Sequence, residues 1–329
     1  MTQITPLSNF LIWLDQNGTA INAHGGGVLS YENQYYWYGE HKLIGKSEND
    51  KADGGVHCYS SQDLLSWKDE GVVLSVDYEN KNSDLAYGCI LERPKVQYNA
   101  STETFVMLFK LFLKGVGYDT CYVGVAQSPL PAGPFTYVHK FLGTNSEKGS
   151  GDFAFFVDKN NEAFHIASQK PGHHLYGGLL TEDYLRPSGE YQPLEGISPH
   201  TEAPCIFKEN DTYWLLASGC TGWTPNPARL FCSSNLFGPW ENKGNPMTGI
   251  NPNNQLGPEK TFGAQSTCIF DVIDPPGSRI AMFDVWRPEN PIDGRYIWLP
   301  FDGLTGRGIQ ELAYISDWHQ VIQPKPLVN

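Results

Sequence analysis

Apolar and polar residues alternate in short runs along this chain, and one larger unit returns five times. A polar side chain leads, and four residues later the chain enters an apolar run. A cluster of turn-forming residues and a second apolar or aromatic run follow. The leaders are His24, Glu92, Asp152, Glu202 and Gln265, and the fourth residues after them are Val28, Val96, Phe156, Ile206 and Ile269. Successive leaders stand 68, 60, 50 and 63 positions apart. A unit recurring about every 60 residues marks a radial or stacked repeat.

The turn clusters Tyr31-Glu32-Asn33-Gln34, Asn99-Ala100-Ser101, Asp158-Lys159-Asn160-Asn161 and Glu209-Asn210-Asp211 each join two strand-like segments, so each predicts a hairpin. The second arms are strong strand formers, as in Tyr35-Tyr36-Trp37-Tyr38 and Tyr213-Trp214-Leu215-Leu216. No window holds a 3.6-residue apolar period, so helices should be few and short. A further element follows each hairpin: Ser60-Ser61 before Leu65-Ser66-Trp67, Gln127-Ser128 before Gly133-Pro134-Phe135, and Ser233-Ser234 before Gly238-Pro239-Trp240. Leu180-Thr181-Glu182-Asp183-Tyr184 is a weaker copy. These predict a third strand, a turn and an outer fourth strand. Four antiparallel strands in each of five units predict an all-β, five-bladed β-propeller, with residues 1–329 forming a single domain with short terminal extensions.

In such a ring the first strand of every blade lines the central channel, so the five leaders should meet at one mouth. Carboxyl groups crowded there cannot all ionise together, and their pKa values are driven apart. One then stays protonated as an acid while others remain charged. Glu202, in His200-Thr201-Glu202-Ala203-Pro204, opens an apolar strand and is the first candidate for that acid. Alone it would read as a surface glutamate, and the shared register is what argues for function. Glu92 has Arg93 beside it and Asp152 follows Gly149-Ser150-Gly151, so a local ion pair and a turn cap compete with function at these positions. Gln265 carries an amide, which is not a base at ordinary pH.

A net charge of −13 argues against nucleic acid and anionic membrane as partners. No apolar stretch approaches the roughly 18 residues of a membrane span. The first residues lack a basic region and a long apolar segment, so the chain as written is expected in the cytoplasm, or outside the cell if a leader has been removed. The 9 Trp, 17 Tyr and 17 Phe are mostly strand and core residues, with a minority free to act as platforms for sugar rings. The seven cysteines show no CxxC and no zinc-site spacing. Buried free thiols are their expected state, although Cys220 and Cys232 could pair. His24-Gly25-Gly26-Gly27 looks like an esterase oxyanion string, but no G-x-S-x-G accompanies it. His173-His174 lies in a glycine-flanked loop and reads as a solvated loop or channel rim rather than a metal site.

At this point particular strings match a family. Ile21-Asn22-Ala23-His24-Gly25-Gly26-Gly27, followed by Tyr36-Trp37-Tyr38-Gly39-Glu40, resembles glycoside hydrolase family 43 and its exo-β-1,3-galactanase branch. So do Glu92-Arg93-Pro94-Lys95-Val96, Ser218-Gly219-Cys220-Thr221-Gly222-Trp223 with Pro225-Asn226, and Gln265-Ser266-Thr267. Trp286-Arg287-Pro288 and Tyr296-Ile297-Trp298-Leu299-Pro300 look like that branch's closing blade, and the resemblance spans roughly residues 18 to 302.

The resemblance implies a hydrolase acting on an oligo- or polysaccharide, expected to be monomeric and to need no cofactor. Related propellers carry a structural calcium on the axis, which would place one near His24. Glu202 matches the general acid, Glu92 the acidic residue beside it, and Gln265 the glutamine proposed to hold the attacking water. Glu40, Tyr118, Asp152, Thr221 and Trp223 match residues around a terminal galactose, as do Arg93 and Asn226. The wider family carries an aspartate base at the start of its first blade, where this chain has Asn22-Ala23-His24. Inverting cleavage of β-1,3-linked galactose is the implied reaction. α-L-Arabinofuranosidase or β-xylosidase activity, or a non-catalytic sugar-binding propeller, are the alternatives.

Overall fold

A computed structural model describes residues 7–47, 53–302 and 309–318. It is the five-bladed β-propeller that the repeat predicts. The innermost strands are His24–Tyr31, Ile90–Asn99, Ser150–Val157, Thr201–Glu209 and Gln265–Asp271, in blades one to five. Each packs against the next, and the fifth packs against the first to close the ring. The predicted hairpins form where the turn residues fall, with Tyr31 paired to Gln34, Asn99 to Thr104, Val157 to Ala163 and Glu209 to Thr212. Among the described residues the only helical segments are two short 3-10 turns, Pro258–Gly263 and Pro291–Asp293, and no helix is long and apolar enough to cross a membrane.

Among the described residues, blades one to four have four strands each, whereas the sheet of blade five has three. The expectation of four per blade fails there, and the outer edge is occupied by residues 9 and 10, themselves tied to residues 315 and 316. Phe10 donates its amide to Tyr296 O at 2.8 Å. The buried Asn9 side chain donates to Trp298 O at 2.8 Å and accepts from Trp298 N at 2.9 Å, copying a strand's pairing with an amide. Asn9 N donates to Ser316 O at 2.9 Å, which brings the segment around residue 316 to this edge. In blade three the third strand is Leu175–Leu179, and the weaker copy at 180–184 forms the turn after it, closed by a bridge from Leu180 to Pro187.

Apolar clusters fill the wedges between blades. The wedge closing the ring is the most aromatic: Trp13, Trp37, Trp67, Trp298 and Trp318 are all essentially inaccessible. Their rings meet edge to face, with Trp298 centred 4.9 Å from Trp37 and 5.1 Å from Trp13. Such geometry satisfies the ring quadrupoles and adds to burial.

An irregularity follows the leader in four inner strands, between His24 and Gly27, Glu92 and Lys95, Glu202 and Cys205, and Ser266 and Cys268. The residue after the leader is left-handed in three of them: Gly25 at φ 62°, Arg93 at 51° and Ala203 at 54°. A bulge of this kind bends the strand end and re-aims its side chains. The repeat therefore encodes a direction as well as a strand.

Because Trp298 joins several rings at once, Trp298→Ala should lower unfolding free energy by about 3–5 kcal/mol in denaturant titration. Asn9→Ala should cost about 1–3 kcal/mol by stranding the Trp298 amide and carbonyl.

Candidate active site

Glu92, Asp152, Glu202 and Gln265 meet at one mouth of the channel around a cavity of about 280 Å³. That volume is at the small end for a ligand site. Glu40, Arg93 and Tyr118 also line it, and Trp223 and Trp286 form its aromatic rim, with ring centres 5.9 Å apart. A larger cavity, about 380 Å³, occupies the other end of the channel. Its carboxylates are spent in ion pairs, Asp158 with Lys208 and Asp271 with Arg279, so the chemistry is not there.

His24 does not join the other leaders. It is fully buried, stacks on Tyr296 with ring centres 5.5 Å apart, and its Nδ1 lies 3.4 Å from the Tyr296 hydroxyl. Burial, with help from the Lys42 charge, pushes its imidazole down to about 3 and keeps it neutral. In blade one the carboxylate comes from the neighbouring strand instead, since Glu40 is the register partner of His24. Gly25 makes this possible, because a Cβ there would lie 2.2 Å from Glu40 Oε1. No carboxylate is hydrogen-bonded to His24 among the described residues. The nearby carbonyls of Gly25, Arg93 and Pro94 face the Lys95 ammonium at 3.0, 3.4 and 3.5 Å. His24 Nε2 is buried without a hydrogen-bond partner, as is one oxygen of the buried Asp284 carboxyl, whose other oxygen accepts from Gly25 N at 2.6 Å.

Arg93 ties three blades together. Its Nε pairs with Asp152 at 2.9 Å, one terminal nitrogen donates to Ser266 O at 3.1 Å, and the other donates to Gln265 Oε1 at 2.6 Å. Its guanidinium lies 5.3 Å from the centre of Trp286. Lys110 bridges Glu92 at 2.6 Å and Asp152 at 2.9 Å, and Tyr118 donates to the other Glu92 oxygen at 3.0 Å. Glu40 accepts from Arg93 N at 2.8 Å and from Lys42, which also binds Asp53.

These contacts divide the acids. Burial resists ionisation of Asp152, but Arg93 and Lys110 outweigh it and hold the carboxyl well below the usual range. Lys110 does the same for buried Glu92. Glu202 has no such partner: burial and the Asp152 charge push its carboxyl up to about 7. Burial also raises Glu40, against the pull of Lys42. The separation expected of crowded carboxyl groups is therefore present, with Glu202 on the protonated side.

The Gln265 amide is saturated. Its Oε1 accepts from Arg93 and from Trp286 Nε1, at 2.6 and 2.9 Å. Its Nε2 donates to Glu202 Oε1 and Ser218 Oγ, each at 2.9 Å. In this arrangement no water-wide gap separates Glu202 from Gln265, which are in direct contact.

Two sequence candidates fall outside the cavity wall. Asn226 exchanges hydrogen bonds with the Gly219 backbone, and Thr221 bonds to Thr224 O and Asn226. Their polar atoms fix the loop that presents Trp223, and Asn226 lines a small recess beside Trp223, Gln265 and Trp286. Cys220 and Cys232 are free thiols rather than a pair. Sequence reading missed Lys110 and Trp286. A signal existed for Lys110: it is the one charge in the strand Thr104–Phe112, it is buried, and its register partner is Glu92. Such a lysine needs a carboxylate partner.

A propeller whose channel mouth holds one protonated carboxylic acid among charged carboxylates, under aromatic side chains, has the equipment of a glycoside hydrolase. The chain belongs to the glycosyl hydrolases of family 43, whose family model matches residues 27–261. It is 36% identical to a family 43 β-1,3-galactosidase solved with galactodeoxynojirimycin, with a TM-score of 0.83, covering 95% of this chain and 99% of that one. It is 28% identical, with a TM-score of 0.78, to the exo-β-1,3-galactanase of Phanerochaete chrysosporium solved with galactose, covering 94% of this chain and 67% of that one. Against the exo-β-1,3-galactanase of Clostridium thermocellum the identity is 31% and the TM-score 0.74, covering 94% and 64%. No curated protein matches it.

Removing Lys110 should strip buried Glu92 of its contacting cation and leave Asp152 with Arg93 alone. Lys110→Met is expected to lose about 3–5 kcal/mol of stability at pH 7. Asp152 and Glu92 have lowered folded pKa values, so their pairing stabilises above the unfolded carboxylate pKa and is lost on acidification. Urea titrations should therefore show the gap between variant and wild type holding from pH 7 to about pH 5 and narrowing only below it.

Proposed function

We propose that this glycoside hydrolase removes terminal galactose from β-1,3-linked galactan with inversion. The observation that carries the reading is the placement of Glu202. It is the cavity carboxyl that is raised to about 7 without a lysine or arginine in contact. The galactose specificity rests on the likeness to the β-1,3-galactosidase and the two galactanases.

Glu202 gives its proton to the leaving oxygen as the glycosidic bond breaks. Gln265 contributes before that step: by donating to Oε1 it makes that atom the carbonyl oxygen and leaves the proton for Oε2. Positive charge then develops on the sugar ring, and Asp152 and Glu92, fixed in their charged forms, are placed to stabilise it electrostatically. Water attacks from the opposite face, and inverting sites leave roughly 6.5–9.5 Å between acid and water-holding group for it. Gln265 can hold that water only after its amide leaves Glu202, so sugar binding must break the 2.9 Å contact. Trp223 and Trp286 offer flat faces to the sugar, while Glu40, Glu92 and Asp152 accept its hydroxyl hydrogen bonds.

Proton NMR during hydrolysis of β-1,3-galactan should show α-galactose first, with no comparable sugar release from arabinan or xylan. First appearance of β-galactose contradicts inversion, and preferential release from arabinan or xylan contradicts the specificity. Glu202→Gln should lower kcat/KM on galactan by at least about a hundredfold while sparing an activated aryl galactoside. Glu202 is active when protonated, so kcat/KM on galactan should fall about tenfold per pH unit above pH 7. That limb should be missing from the Glu202→Gln profile on the aryl substrate.

A further inference from the structure

Two groups that the hydrolytic reading does not use lie against Glu202. A ring nitrogen of His173, the Cys220 sulfur and a Glu202 carboxylate oxygen all lie within 4.8 Å of one another. His173 Nδ1 is buried and has no hydrogen-bond partner. All three side chains are half-buried, so they are reachable from solvent.

The backbone holds this cluster firmly. His173 is left-handed at φ 51°, donates its amide to Gln169 O at 2.9 Å and accepts from Thr201 N, next to Glu202, at 3.1 Å. Cys220 directly follows Gly219, whose N–H and C=O are both engaged by Asn226. An imidazole, a thiolate and a carboxylate are the donors that a borderline-soft cation such as zinc prefers, at about 2.0–2.3 Å from the metal. Donors that close together need small side-chain rotations to reach those lengths.

We propose that His173, Cys220 and Glu202 form a binding site for a zinc-class divalent cation, and that occupancy switches off hydrolysis by capturing the proton donor. The inhibitory half rests on Glu202 being the general acid; the binding half does not. Binding converts the Cys220 thiol to a thiolate and displaces any proton on Glu202, both protons passing to solvent. Occupancy should therefore weaken as pH falls. A sequence reading that takes the paired histidines together misses this, because His174 is exposed and only His173 faces the acid.

Cadmium serves as the probe, since its bond to thiolate gives an ultraviolet charge-transfer band. Titrating the full-length protein with cadmium should produce one equivalent of that band, with galactan hydrolysis lost in parallel and restored by a chelator. Cys220→Ser and Cys220→Ala should each abolish the band. His173→Ala should weaken binding by at least about tenfold, the cost of losing even an outer-shell partner. Circular dichroism melts of each variant show whether it is folded. A folded Cys220→Ser protein that retains the whole band overturns the site, since the thiolate would then belong to another cysteine. A Cys220-dependent band at saturation with undiminished galactan hydrolysis overturns the switch. It also places the failure in the role of Glu202, because the binding site itself would stand.

Discussion

Buried cations make the channel mouth workable. Glu40, Glu92, Asp152 and Glu202 are brought around one small cavity, where unpaired carboxylates would repel and lose hydration. Lys110 sits between Glu92 and Asp152, Arg93 between Asp152 and Gln265, and Lys42 beside Glu40. Compensation is incomplete, and that is its use. The carboxyl groups that touch Lys110 are driven below the ordinary range, while Glu202 is left to burial and to the charge of Asp152. One proton is thereby confined to the group best placed to donate it.

Arg93 also joins this electrostatic pattern to the fold. Its side chain holds the side chains of blades three and five, and its left-handed backbone directs its amide at Glu40 of blade one. A non-glycine residue in that conformation carries a cost of order 1–3 kcal/mol, sustained when surrounding contacts over-determine it. The same turn recurs after Glu202, at Ala203, and after His24, at Gly25. The irregularity that follows the leader in four inner strands is thus a means by which a repeating backbone directs different side chains.

How much of this was legible in the sequence depended on the range over which each feature is encoded. Strands, hairpins and five-fold register follow from local alternation, and four leaders met as their register required. His24 did not: its ring stacks on Tyr296, 272 positions away, an interaction that no local pattern announces. Closure was hidden for a similar reason: Asn9 and Trp298 are separated by 289 positions, and the missing strand is replaced by a side-chain amide. Thr221 and Asn226 share a motif with Trp223, yet only the coordinates separate residues that build the loop from the ring it presents. Lys110 was readable, since a single lysine inside an apolar strand implies a buried carboxylate across from it.

Glu202 stores a proton at neutral pH while its neighbours are charged. Carbon-13 NMR titration of the side-chain carboxyl carbons, with the Glu202 signal assigned by its absence in Glu202→Gln, reads this directly. A midpoint near 7 is expected for Glu202, with Asp152 and Glu92 remaining ionised to below their ordinary range. A Glu202 midpoint at the unperturbed glutamate value of about 4.3 would contradict it.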